Sequence, residues 1–380
     1  ISEPAEGMAI TAVAALPEGL CFILADGHSQ SQLYCHHNES SELEGLLSFS
    51  LEPQPSELFA WAGELFLVQP HNTYYSDIWQ SNGHAGGTGQ ILSIPGLATT
   101  PPLRVGGNYL FGQADEVTGW QSLHLYAAGS RTAERFANLF VAHDWHEQAL
   151  LHDGVLYFAG RTEDSGWELW RSDGTVGGTF MLGDMNAGPL SASPADLVVY
   201  GDRILFVAES GDGRQIWQTD GTPAGTELFW SQGDYHDPHT LHVSGGSLFF
   251  QVSGTAAERW LLHLQGRDIV RAAGLVGRTT ELAVLDGNVY VANQLIDGDV
   301  IMWRIEAASG NITHLGDWPG VGFRPVSLAS AGNHVYFILG EERSLWQTTM
   351  AGDAIVPVDD APFGLNALYT AGDTLYFTLN

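Results

Sequence analysis

Two segments that read as loops between repeat units set histidine beside aspartate at a spacing that suits a metal ion. Residues 143–153 read HDWHEQALLHD and residues 236–242 read HDPHTLH. His143 and His146, like His236 and His239, lie three positions apart. Such imidazoles can ligate one ion, and neutral histidine suits Zn²⁺, Cu²⁺ or Ni²⁺. Asp144 and Asp237 would ligate directly or orient a ring from behind. Trp145 and Tyr235 flank the pairs and offer aromatic faces to a sugar. A plainer reading is also open, because His-Asp pairs cap turns and 15 histidines in 380 residues produce coincidences. The third histidine of each segment, His152 or His242, falls in an expected strand and reads as a packing or pore-lining residue.

Other candidates are weaker. His36 and His37 follow Cys35, a soft-ligand cluster in principle. His124 and His263 stand where neighbouring units carry tryptophan, and read as its replacement in packing. Asp164, Asp297 and Asp299 sit in hairpin loops that match no Ca²⁺-loop pattern, so solvated turns compete with calcium there. A catalytic reading would use His146, Tyr235, His239 and Arg104 as base, acid and charge neutraliser. No GxSxG elbow, phosphate loop, HExxH or dinucleotide fingerprint supports it. The chain reads as a binder.

The scaffold for these residues is a repeat. A Gly followed by an aromatic-rich strand recurs as GLCFIL from Gly19, GELFLV from Gly63, GVLYFAG from Gly154 and GDTLYFTLN from Gly372, with five further copies between. A second phrase follows about 15 residues later, centred on Tyr34, Trp79, His124, Trp170, Trp217, His263, Trp303 and Trp346. Both alternate apolar and polar residues, the two-residue period of a half-buried strand. No sustained helical period occurs. Gly-Asp, Asp-Gly and Gly-Thr pairs supply the positive φ angles of tight hairpins. Four short strands per unit give an all-β chain, a β-propeller of eight four-stranded blades, with seven or nine as alternatives. One domain spans 1–380, closed by pairing N- and C-terminal strands; the surplus strands at 365–380 complete the first blade and displace its N-terminal hairpin outward. The recurring tryptophans at 79, 170, 217, 303 and 346 are then core between blades.

These phrases resemble the ELWxxDGT repeat of secreted and surface proteins of bacteria. Residues 168–175, ELWRSDGT, carry its core letter for letter, and QIWQTDGT at 215–222 departs at two positions. DIWQSNGH at 77–84 and SLWQTTMA at 344–351 are looser. The resemblance implies a bacterial, exported propeller. It carries no catalytic residue and no ligand.

Composition agrees. The formal net charge is −30, from 44 acidic residues against 14 basic ones, all of them arginine. That field repels nucleic acid and anionic membrane. No apolar run is long enough to span a membrane. Cys21 and Cys35 lie symmetrically about His28, the expected tip of a hairpin, and would face each other across two strands as a disulfide. A disulfide implies an oxidising compartment, secreted, periplasmic or surface, and the start ISEP implies a signal peptide already removed. The expected role is an exported recognition scaffold for a glycan, an extracellular protein or a metal ion; the alternatives are a histidine-based Cu or Zn protein and a polysaccharide-active enzyme.

Overall fold

A computed structural model describes residues 9–26, 30–40, 42–50, 57–72, 75–95, 100–114, 120–127, 133–142, 144–231, 235–254, 259–275, 278–294, 299–306, 308–318, 327–339, 342–349, 352–359 and 361–379. His143, His28 and Asp297 lie outside them. The chain is all-β, and three 3-10 turns are the only helical elements among the described residues. Strands Ala9–Leu16, Gly19–Ala25, Gln30–His37 and Leu43–Ser50 form the first antiparallel meander. Seven more four-stranded units follow, at 57–95, 103–141, 150–181, 195–230, 235–275, 278–318 and 328–357. They are the blades of a β-propeller. The third and fourth join through one extra bridge, Phe140 opposite Arg161. The surplus strands Leu365–Ala371 and Thr374–Leu379 pair as a two-stranded sheet. The first blade has its four strands without them, and Gly19–Ala25 is an inner strand of it, not a displaced hairpin.

Two compact units divide the chain. The first comprises 1–195 with 209–211 and 221–224, and the second comprises the remainder. In the first, Cys21, Ile23 and Leu33 pack with Leu58, Leu65 and Leu67 of the next blade, and Trp79 lies against them. Leu103, Leu110 and Leu123 of the third blade pack with Leu156 and Phe158 of the fourth, with Trp170 alongside. In the second unit Leu205 and Ile216 pack with Leu248, Phe250 and Leu262. Inner strands such as Gly19–Ala25 and Arg203–Ser210 are buried along most of their length, because one blade covers its faces only against the next. Trp79, Trp170, Trp303 and Trp346 each pack against a buried cluster, as their spacing implies.

The DGT turn is a hydrogen-bonded device. Asp173 Oδ1 accepts from the Thr175 amide at 3.0 Å and from its hydroxyl at 2.7 Å. The hydroxyls of Ser172 and Thr179 lie 2.7 Å apart, as do those of Ser81 and Thr88, with Thr219 and Thr226 at 2.8 Å. Gly221 adopts φ +84°, and a Cβ there would lie 2.5 Å from the Tyr157 hydroxyl of the preceding blade. Positive φ and close approach both demand glycine. The turn therefore closes its own hairpin and also seats it on its neighbour.

Cys21 and Cys35 are opposed in register and disulfide-bonded, each 1% exposed. Constraint of a loop of about 15 residues is worth roughly 3 kcal/mol. Replacing both cysteines with serine is expected to lower stability by about that amount in chemical denaturation, with wild type falling to meet the variant once reductant is added. Equal midpoints for reduced and oxidised wild type would contradict it.

Candidate metal centre

Four side chains from the first two blades meet at one end of the sheets. Glu18 lies in the turn between the first two strands, His37 ends the third strand, and Glu44 is the second residue of the fourth. His84 precedes the 3-10 turn Ala85–Gly87, which joins the last two strands of the second blade. Donor atoms of Glu18, His37 and His84 all lie within 4.8 Å of one another.

Glu44 organises the group. Its Oε2 lies 3.2 Å from His37 Nε2 and 3.0 Å from His84 Nδ1, and its Oε1 accepts from the Ala85 amide at 2.8 Å. The Ala85 amide, and then the His84 imidazole, hold the Glu44 carboxyl below the usual carboxylate range. A carboxylate only accepts, so both rings donate to it. That leaves Nδ1 of His37 and Nε2 of His84 as lone-pair donors, the latter 3.9 Å from Glu18 Oε2. A carboxylate that fixes the tautomer of ligating histidines is the usual outer shell of a zinc or copper site. The two rings stack at 4.2 Å with their planes 11° apart. A shared ion would replace that stack, because an imidazole ligates in its own plane. His84, about half exposed, is the ring with room to turn.

The sequence held a signal for this group. His37 occupies the Asp173 position of the fourth unit's phrase, counting from Tyr34 and Trp170. His84 stands in SNGH where that phrase has the Thr of SDGT. Adjacent blades thus both place histidine in the turn that elsewhere carries Asp and Thr. Glu18 and Glu44 carry no comparable mark.

The expected sites fare differently. Trp145 is corrected: it lies in the 3-10 turn Trp145–Gln148 and is 2% exposed, with its ring edge-on to Phe158 at 5.2 Å. A buried ring offers no face to a sugar. His146 packs edge-on against Phe59 at 5.8 Å, and Asp144 is exposed. Residues 236–242 are also corrected from loop to strand, within Tyr235–Ser244. The register shifts between His236 and His239 and again between His239 and His242, and positive φ at Asp237 and Thr240 marks these bulges. Arg214 reaches Asp237 at 3.7 Å, and Asp196 accepts from the Thr240 amide at 2.7 Å. His239 Nδ1 lies 2.9 Å from the Asp237 carbonyl, His236 is exposed, and Tyr235 meets Trp260 edge-on. His146 belongs to the first unit; His236 and His239 belong to the second.

Arg104 is committed to Glu64 at 2.7 Å, a charge-assisted contact that leaves little for an incoming anion. His124 and His263 stack on Phe111 and Phe249 as tryptophan replacements. Burial lowers both imidazoles below the ordinary histidine value, His124 to about 4.

No family model and no curated relative matches the chain. Solved structures of low similarity do. Apo AztD from Citrobacter koseri is 15% identical, covering 88% of this chain and 94% of its own, with TM-score 0.47. BamB from Moraxella catarrhalis is 13% identical over 98% and 95%, with TM-score 0.46. A prolyl endopeptidase is 13% identical over 93% of this chain, with TM-score 0.49, and this chain spans 55% of its length. No ligand or activity is carried over from them.

Proposed function

We propose that this protein is a non-catalytic, exported binding propeller that holds a divalent transition metal, zinc or copper, at Glu18, His37 and His84. The observation that carries the reading is the convergence of two imidazoles and two carboxylates from three separate turns, with Glu44 fixing both rings. Nitrogen and oxygen donors in that ratio suit Zn²⁺ or Cu²⁺. The disulfide supports an oxidising compartment. Membership among ELWxxDGT-repeat proteins of bacteria is part of the same proposal and rests on residues 168–175 and 215–222. No helix of the described residues is long and apolar enough to cross a membrane.

Calorimetric titration of the chelator-stripped protein with Zn²⁺ tests it. One equivalent is expected to bind. His84→Ala is expected to abolish binding, and Glu44→Gln to weaken it about 10–100-fold by loosening both rings. Undiminished binding by His84→Ala, or none by wild type with either metal, would overturn the site. Loss of binding in His146→Ala and His239→Ala instead would return it to the segments first singled out.

A further inference from the structure

A different group of residues, at the opposite end of the third and fourth blades, has the make-up of a sugar site. In an antiparallel meander the turn between the second and third strands lies at the far end from the turns that carry Glu18 and His37. Trp120 stands just before the third strand of the third blade and is 37% exposed. The Arg161 guanidinium lies 4.4 Å over its ring. Trp167, opposite Arg161 in register and partly exposed, sets its ring 5.8 Å from Trp120 at 53°. Glu163 and Asp164 are exposed in the hairpin turn between Arg161 and Trp167, and Leu190, 61% exposed, follows Trp167 around the connecting loop.

The scaffold beneath is rigid. The Trp167 amide donates to Ser191, and its carbonyl accepts from the Ala192 and Ser193 amides. The Trp167 backbone is thus held on both sides, with the Trp120 ring beside its own. The two rings stay partly in water beside a cation, with two exposed carboxylates in the adjoining turn. Arg161 forms no ion pair with any described carboxylate, and its guanidinium rests on the Trp120 ring.

We infer that Trp120, Arg161 and Trp167 form a binding site for a neutral glycan. Pyranose C–H faces stack on indole. The guanidinium fork donates to ring hydroxyls, and Glu163 and Asp164 accept from them. The net charge of −30 sets the class: it repels uronate and sulfated chains and leaves neutral hexose polymers as the fitting occupant. This site shares no residue with the metal group, so either can fail alone.

Intrinsic tryptophan fluorescence and calorimetry with cellohexaose, laminarihexaose and mannohexaose test it, in chelator so that metal plays no part. At least one probe is expected to bind and perturb the fluorescence. Trp120→Ala and Arg161→Gln should each weaken binding at least about tenfold, with circular dichroism and thermal unfolding showing a folded chain. Trp167→Phe should retain part of the affinity, and His84→Ala all of it. Failure of all three probes, or affinity unchanged in Trp120→Ala, overturns the assignment. Tighter binding of a proline-rich peptide or of polygalacturonate than of any neutral hexose would overturn it in favour of another occupant.

Discussion

Replacing Glu168 with alanine is expected to destabilise the first unit by about 3 kcal/mol or more, although the residue touches no proposed ligand. Glu168 opens the ELWRSDGT phrase and is fully buried. Its Oε2 accepts from the Met185 amide at 3.0 Å and its Oε1 from the Ala192 amide at 3.1 Å, and the Asn186 amide also faces it. One carboxylate therefore clamps both ends of the connection from the fourth blade to the fifth. Alanine leaves the Met185 and Asn186 amides without that acceptor, at about 1–3 kcal/mol each, while the Ala192 amide keeps the Trp167 carbonyl. Gln215 holds the same place in the fifth blade and donates to Ser231 across its own connection.

The same carboxyl gives a pH signature. Burial pushes Glu168 up to about 7, against the pull of the amide donors, which favour the ionised form. A raised folded-state value means that its stabilising contribution is complete below the unfolded value of about 4.5 and is lost as pH rises through about 7. Over that window the loss is about 3 kcal/mol. Glu168→Gln cannot ionise, so denaturant midpoints should become flatter between pH 4.5 and pH 8 than those of wild type. Identical pH profiles for the two proteins would remove Glu168 as the source.

Trp145→Ala is expected to cost about 3–5 kcal/mol, the range for emptying a large buried aromatic site. The ring packs in one buried cluster with Leu103, Val105, Leu139, Val141, Leu156 and Phe158. Trp145→Phe should cost less, because part of the volume remains and a buried indole N–H without a partner is removed. Urea unfolding followed by circular dichroism measures both. A change below about 1 kcal/mol for alanine would return Trp145 to the surface role its sequence position suggested.

These residues show where sequence reasoning reached and where it stopped. The blades were legible because a two-residue alternation and a turn residue act within one hairpin. The Asp173 turn, the Cys21–Cys35 pairing and the stacking of His124 and His263 follow from the same local rules. Trp145 was misread because leaving the repeat looks the same in sequence whether a residue turns outward or fills a gap between blades. His236 and His239 were placed in a loop because two bulges in a strand lack a clean alternation, and strands are recognised by alternation.

The sequence by itself determined the β-propeller architecture, the length of its units, the disulfide partners and the turn chemistry. Each depends on residues paired within one meander, where register leaves little choice. Only the tertiary structure decided that His37 and His84 stack 4.2 Å apart over Glu44, and that Trp120 joins Arg161 and Trp167. Those groups come from neighbouring blades, about 40 residues or more apart along the chain. Their meeting is set by how one sheet packs on the next, and no periodicity within a blade records that.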